Sequence, residues 1–281
     1  MRETKPSHVR TVIAYIVLII LAFLCLFFFY VLLVNCTRDH FSIQKGFSAI
    51  PGDHFITNFK NVLADANVPI FSGLKNSLLV SGLSAFLATY FSCMTAYGIY
   101  AYDFKLRKFA FVFILLIMTM PTQVTALGFI KLVEKMSLLD TMVPLYVPSI
   151  AAPVVFYFMY SYMQSSLPME LVEAARIDGS NEMHTFNFIV LPLMKPAIAV
   201  QAIFTFVSSW NNYFMPALVL TSKKKQTLPI LIAALRSADF LKFDQGKVYM
   251  LITMAIVPII IIYILLSKYI VSGVTLGGVK G

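Results

Sequence analysis

Long apolar stretches separated by shorter polar segments make up most of this chain. Each stretch is close to the ~20 residues with which an α-helix crosses the hydrocarbon core of a bilayer. The stretches are too long and too continuous for the alternating strands of a membrane barrel. Because backbone groups in lipid must be satisfied internally, the pattern predicts an all-α, polytopic transmembrane helix bundle. Six spans fit, at about 11–35, 77–99, 108–130, 143–163, 197–220 and 248–270.

The polar segments define the connections between these spans. The stretch 36–76 contains Pro51-Gly52 and Pro69, which predicts a loop with at most one short helix. A second polar segment, 164–196, separates the fourth and fifth spans. No internal repeat is visible, so residues 1–281 are predicted to form one transmembrane domain with its core at about 73–270.

Composition agrees with a membrane protein. The mean hydropathy is +0.82 and 12% of the residues are charged, whereas a soluble domain carries about 25%. The first apolar run follows the basic start MRETKPSHVR. It is longer than a signal-peptide core of about 7–15 residues and lacks a small-x-small cleavage site. We therefore expect it to remain as the first span.

The net charge of +9 has two possible consequences. The Lys and Arg residues are scattered without a basic stripe, so nucleic-acid binding is not expected. With the N-terminus inside, ten of them lie on the inner side and twelve on the outer side. The dense clusters at 2–10 and 105–108 favour this topology, but the total does not. Charge alone leaves the orientation undecided.

The segment 164–196 is predicted to form two short helices that meet at Gly179, which tolerates a positive φ and is a good C-terminal stop. Ser166 is placed to cap the first helix, with Pro168 in its first turn. Ser180 is placed to cap the second helix. The result is a compact surface loop on which Glu173 and Arg176 are predicted to point outward. An ordinary amphipathic loop between two spans would have the same local features.

The residues of this segment follow a fixed spacing. Glu-Ala-Ala is followed by three residues and Gly, nine residues and Ile, then one residue and Leu-Pro. This spacing resembles the cytoplasmic EAA loop of the membrane-spanning subunits of bacterial ATP-driven (ABC) importers. The matching positions are Glu173, Ala174, Ala175, Asp178, Gly179, Ile189, Leu191 and Pro192. The resemblance implies that these residues, with Arg176, Met183 and Phe186 of the same loop, lie in a cleft of an ATPase subunit and move with it.

Further motifs resemble the carbohydrate branch of the same family, close to the maltose/maltodextrin permeases. They are Ile50-Pro51-Gly52, Lys75-Asn76-Ser77, Trp210-Asn211-Asn212-Tyr213, Thr227-Leu228-Pro229 and the C-terminal SGVTLGGVKG. Together they extend over nearly the whole chain. The resemblance therefore implies an importer of a sugar, in particular an oligosaccharide.

The resemblance also implies partners and a location. The chain would pair with a second homologous permease, two ATP-binding subunits that hold ATP and Mg, and an extracytoplasmic solute-binding protein. It would lie in a bacterial cell membrane with its N-terminus and EAA loop in the cytoplasm. No cofactor is expected in this chain itself.

The fifth span carries a polar stripe. Gln201, Thr205, Ser208 and Asn212 are spaced by four, three and four residues and therefore share one helix face. Polar residues in a span point to the bundle interior or to a water-filled path. One interpretation is a translocation path, to which Asn211 would add hydrogen bonds and Trp210 or Tyr213 a stacking face. The other is interhelical hydrogen bonding, worth about 0.6 kcal/mol per contact.

Two other spans have distinctive patterns. Small residues on one face of the second span predict close helix packing; they are Ser77, Ser81, Ser84, Ala88 and Ser92. In the third span Pro121 predicts a kink beside a cavity or a partner helix. Gln123, which follows this proline, is a second candidate for the path.

The sequence lacks the motifs that several classes of enzyme and carrier require. The sequence has no G-x-x-x-x-G-K-[ST] and no H-E-x-x-H, so neither ATP binding nor zinc hydrolysis by this chain is expected. The four histidines lie outside the spans, and no charged residue lies deep in one, which disfavours an ion-coupled carrier. An enzyme is therefore not expected. The alternatives are an ABC permease for another solute, such as an amino acid or peptide, and an ATP-independent carrier or channel.

Overall fold

The computed structural model describes residues 8–66, 68–236 and 244–277, with side chains described over 10–66, 68–236 and 244–265. All regular structure in these ranges is helical, which confirms the all-α prediction. The helices in chain order are α1 His8–Asn35, α2 His40–Gln44, α3 Phe55–Ala64, α4 Ile70–Ala101, α5 Arg107–Met118, α6 Thr122–Lys135, α7 Val143–Tyr146, α8 Pro153–Ser166, α9 Met169–Ile177, α10 Glu182–Thr185, α11 Leu191–Leu193, α12 Lys195–Trp210, α13 Phe214–Val219, α14 Leu228–Arg236 and α15 Gln245–Gly277.

Four helical stretches in the described residues are long and apolar enough to cross a membrane: Arg10–Asn35, Ile70–Ala101, Val143–Ser166 and Gln245–Leu265. Two bent helix pairs bring the number to six if each pair is one span. Helices α5 and α6 meet at 99°, with Pro121 directly before α6, so the predicted kink is a sharp break. The fifth predicted span is also interrupted, because α12 ends at Trp210 and α13 begins at Phe214.

The described residues form two compact units. The first comprises residues up to 68 and 234–256, and the second comprises 69–233 and residues from 257 onward. The first unit contains α1 and the segment 36–66, which holds two short helices where the sequence predicted one at most. Asn58 fixes this segment, because its side-chain amide donates 2.9 Å hydrogen bonds to the carbonyls of Cys36 and Arg38. A 2.7 Å ion pair joins Lys247 to Asp65.

The second unit is built around α4. Its face of small residues is buried throughout, as the sequence predicted. Helix α12 packs along α4, and α8 packs on its C-terminal half. Because serine and alanine have short side chains, these backbones approach closely. The core continues into the segment 164–196 through Val172, Phe186 and Val190.

Candidate functional site

The segment 164–196, which we call the EAA loop, turns sharply at Gly179. Gly179 has φ +81°, the left-handed conformation predicted for it. Its N–H donates to the carbonyl of Arg176 (3.1 Å), and the N–H of Ser180 donates to the carbonyl of Ala175 (2.9 Å). This pair of bonds is a Schellman motif, which satisfies the last carbonyls of α9. Gly179 therefore ends the first helix of the loop.

The helix starts in the loop differ from the sequence prediction. Ser166 is the last residue of α8, and α9 begins at Met169 directly after Pro168. The N-cap of α10 is Asn181, whose side-chain oxygen accepts a 2.9 Å hydrogen bond from the N–H of His184. The prediction of Ser180 was wrong by one residue, because α10 begins at Glu182 and the residue directly before it is Asn181.

One face of α9 is exposed. It is formed by Glu170, Glu173, Ala174 and Ile177, which recur at helical spacing, and Met183 of α10 is also exposed. Ile177 is 87% exposed and Met183 58%. Asp178 is also exposed, whereas Ala175 is buried against the core. We call Glu173, Ala174, Ile177 and Met183 the docking face, since apolar side chains exposed in a charged loop are typical of a protein interface.

Arg176 does not point outward as the sequence predicted. Its Nε donates a 2.9 Å hydrogen bond to Glu182 Oε1, and its guanidinium lies 5.0 Å from the centre of the Tyr102 ring. Partial burial raises the pKa of the Glu182 carboxyl, but hydrogen bonds from Tyr102, Arg176 and Tyr97 outweigh it and hold that pKa below its usual value. The Arg176 guanidinium therefore binds the Glu182 carboxylate of the same loop and packs on the ring of Tyr102, directly after α4.

The second half of the EAA loop is anchored to α4. Phe186 is 2% exposed and lies between the rings of Tyr90 and Tyr97, at centroid distances of 5.6 and 5.8 Å. The Tyr97 hydroxyl donates to Glu182 Oε2 (3.1 Å), and the Tyr90 hydroxyl donates to Asn187 Oδ1 (3.1 Å).

Sequence reasoning missed these two tyrosines because they lie inside an apolar run. Their spacing of seven residues, two turns of one helix face, was the available signal.

Residues 186–190 of the loop form a π-helical turn, a rare geometry that is frequently found at functional sites. Ile189 and Leu191 are half-buried, and Pro192 is exposed in the short helix α11. The chain then bends by 80° into α12. The tail of the motif thus sets the angle between the EAA loop and the following span.

The predicted path residues separate into two groups. Gln201 and Trp210 are buried, and Trp210 stacks on Phe206 with ring centroids 5.5 Å apart. Within this chain the Trp210 ring is therefore packed against its neighbours, and its role in the path stays a prediction. The hydrogen bond to α4 comes from Ser209, whose hydroxyl lies 3.4 Å from that of Ser84.

The other predicted path residues remain accessible. Ser208, Asn211, Tyr213 and Gln123 are exposed, and Thr205 and Asn212 are half-buried. The Asn211 amide donates to the carbonyl of Val207 (3.0 Å), and no hydrogen bond of its side-chain oxygen is seen in the described residues. These neutral groups can exchange hydrogen bonds with hydroxyls.

The family described as "Binding-protein-dependent transport system inner membrane component" matches residues 88–275, which include the EAA loop and the exposed polar residues of α12. Similar curated proteins extend over the whole chain. An arabinooligosaccharides transport system permease protein, AraQ of Bacillus subtilis, is 34% identical and covers 100% of both chains. A trehalose/maltose transport system permease protein, MalG of Thermococcus litoralis, is 30% identical over 100% of both.

An sn-glycerol-3-phosphate transport system permease protein, UgpE of Brucella abortus, is 29% identical over 97% of this chain and 98% of its own. Among solved structures, a bacterial ABC transporter involved in the import of the acidic polysaccharide alginate has a chain that superposes with TM-score 0.79. The alginate transporter chain is 20% identical in sequence, and the match covers 96% of our chain and 99% of the transporter chain. The superposition shows that the two chains share a fold over 96% of this chain.

Proposed function

The chain belongs to the family of binding-protein-dependent transport system inner membrane components, and on that premise we propose that it forms the translocation path for a sugar, in particular an oligosaccharide. It is a transport subunit and not the ATP-hydrolysing one. The observation that carries the proposal is the full-length similarity to an arabinooligosaccharide permease at 34% identity. The accessible residues at the end of α12 support it, since amide and hydroxyl groups suit a polyhydroxylated solute.

Glycerol phosphate is a second candidate solute, favoured by the similarity to an sn-glycerol-3-phosphate permease. A phosphate group is bound most readily by Arg or Lys. The exposed groups near the break between α12 and α13, namely Ser208, Asn211 and Tyr213, are uncharged. This chemistry favours a neutral sugar over a phosphate ester.

The EAA loop is proposed to bind one of the two ATPase subunits, which would bind ATP and Mg. Support comes from the docking face, where Ile177 and Met183 expose apolar surface and Glu173 adds a charge. Interfaces draw most of their binding energy from a few residues that become buried within a polar rim, and exposed apolar side chains can take this role. When ATP closes the ATPases, a loop held in this way would move with them and change the access of the path from the inner to the outer side.

The membrane orientation and the remaining partners follow from the same proposal. The EAA loop contacts α4 near the C-terminal end of this helix, and residues 224–228 contact α4 near its N-terminal end. Since α4 can cross a membrane, these segments would lie on opposite sides. We assign the EAA loop and the N-terminus to the cytoplasm and residues 221–228 to the outer side. A second permease would complete the path, and the solute-binding protein would dock on the outer side.

The test is reconstitution of the chain with every protein that co-purifies with it, in vesicles that contain ATP. We expect an ATPase and a second permease to co-purify, and uptake of an oligosaccharide to require ATP and the binding protein. Uptake of glycerol phosphate in preference to sugars would favour the second candidate. Uptake by the chain alone without ATP would overturn the proposal in favour of a carrier or channel.

A further inference from the structure

We propose that α4 is the rigid connection through which the EAA loop and the outer segment 221–228 move together, and that Tyr90, Tyr97 and Asn76 position the two segments on it. This inference rests on the proposed function, because it needs an ATPase at the EAA loop. It adds the route by which a displacement of the EAA loop on one side of the membrane is transmitted to residues 221–228 on the other side.

The contacts at the C-terminal half of α4 attach the EAA loop at three points. The Tyr97 hydroxyl binds Glu182, the Tyr90 hydroxyl binds Asn187, and the Phe186 ring fills the space between the two tyrosine rings. The three loop residues lie within six positions of one another, in α10 and the π-helical turn. A displacement of this part of the loop therefore pulls directly on two turns of α4.

The N-terminal half of α4 holds the outer segment in a comparable way. The Asn76 amide donates hydrogen bonds to the carbonyls of Lys224 (2.9 Å) and Gln226 (3.0 Å). The N–H of Leu228 donates to the Ser77 hydroxyl (2.9 Å). Gly73 allows α14 to approach, since a Cβ at this position would lie 2.5 Å from Leu231 Cδ1.

The outer segment is itself firmly held, so it can transmit a movement. Asp140 accepts hydrogen bonds from the N–H groups of Thr221 (3.0 Å) and Ser222 (2.9 Å), and its carboxylate pairs with Lys225 (3.0 Å). The residues 221–225 thus form one body with the loop that follows α6. A shift of α4 would carry this body through Asn76.

The helix between the two attachment sites is continuous. Helix α4 has 32 residues and no proline, and is therefore about 48 Å long, enough to extend across the bilayer. Two other helical stretches of the described residues are broken: α5 and α6 meet at 99°, and the EAA loop meets α12 at 80°. Of these elements, α4 is the one that can transmit a displacement without bending.

Hydrogen exchange of the assembled transporter in nanodiscs tests this route directly. The backbone amides of the EAA loop and of 221–228 are compared in the complex without nucleotide and in the complex trapped with ATP and vanadate. In the wild-type protein we expect both segments to change their exchange rates on trapping. In the Tyr90→Phe/Tyr97→Phe variant the EAA loop should still respond, while the change at 221–228 should fall by about fivefold or more, the lower end of typical allosteric couplings.

Asn76→Ala breaks the route at its other end and should give the same loss, which separates a transmission effect from local damage by the tyrosine changes. Tyr157→Phe, which removes the hydroxyl of an exposed tyrosine on α8, is the matched control for the tyrosines. Asn61→Ala, at an exposed asparagine of α3, is the control for Asn76. Both controls should respond like the wild type.

The outcomes distinguish a failure of this inference from a failure of the proposed function on which it rests. The chain without its ATPase subunits is measured as a reference, and if the wild-type EAA loop gains no protection when these subunits are present, the proposed function fails and this inference with it. If the loop is protected but 221–228 does not respond to trapping in the wild type, or responds as strongly in the tyrosine and Asn76 variants as in the wild type, the function stands and the role of α4 is overturned.

Discussion

The hydroxyl of Tyr97 lies 3.1 Å from Oε2 of Glu182 and joins a membrane-spanning helix to the loop that is expected to face the ATPase. The same carboxylate binds Arg176 through its other oxygen. Glu182 therefore links the two short helices of the EAA loop to each other and both of them to α4. This relationship gives the loop a defined position before any partner binds, which reduces the conformational cost of binding.

The docking face yields the first prediction. Ile177→Asp should weaken the binding of the ATPase subunit by about 30-fold, which corresponds to the loss of about 2 kcal/mol at an interface hot spot. The stability of the chain should not change, because Ile177 is 87% exposed. Titration of the purified ATPase against the chain in nanodiscs measures the effect. Leu139→Asp, at an exposed leucine outside the EAA loop, is the control and should bind normally.

The turn at Gly179 yields a prediction about backbone conformation. A Cβ at Gly179 would have no described heavy atom within 4 Å, so only its φ of +81° restricts the residue. Gly179→Val should cost about 1–2 kcal/mol and reduce ATP-driven uptake, since β-branched residues are strained in this region. Gly179→Asn should retain most of the uptake, because asparagine tolerates it. Equal uptake by the two variants would show that the turn conformation is unimportant.

The residues at the end of α12 should separate into packing and transport roles. Trp210→Ala should lower the stability of the chain by about 3 kcal/mol, because it removes a buried aromatic side chain. Asn211→Ala should leave the thermal midpoint unchanged and lower sugar uptake instead. Thermal unfolding in detergent and uptake into vesicles measure the two effects. An uptake defect without loss of stability in Trp210→Ala would place the indole in the path.

Asp140 yields a prediction about pH. The hydroxyl and N–H of Ser222 and the ammonium of Lys225 hold the pKa of this carboxyl well below its usual value. A lowered carboxyl pKa adds stability that is complete above the unfolded pKa of about 3.9 and is lost as the pH falls through the folded value. Asp140→Asn should therefore unfold a few degrees below the wild type at pH 5–8, and this difference should shrink below about pH 4.

Asp103→Asn, at an exposed aspartate between α4 and α5, is the control for Asp140→Asn. It should unfold like the wild type at every pH. A difference between Asp140→Asn and the wild type that is constant down to pH 3 would show that the charge of Asp140 does not stabilise the outer segment.

The sequence was sufficient for the features that depend on local chemistry. Hydropathy predicted the helical class, the serine and alanine face of α4 predicted its packing, and Gly179 predicted the turn. The features that depend on contacts between distant residues could not be predicted from the sequence. Arg176 was expected to point outward because its partners, Glu182 and Tyr102, are identified only once the loop has folded back on α4. Trp210 and Phe206, one helical turn apart, stack within α12, so motif position alone did not reveal that the indole is buried.

The most direct test of the whole account is ATP-dependent uptake by the complete transporter in vesicles. The wild-type chain is compared with Ile177→Asp, using a panel of arabino-, malto- and galacto-oligosaccharides together with glycerol phosphate. The account predicts that at least one oligosaccharide accumulates only with ATP and the binding protein, and that Ile177→Asp strongly reduces this accumulation although the chain inserts normally. Accumulation without ATP, or undiminished transport in Ile177→Asp, would contradict it.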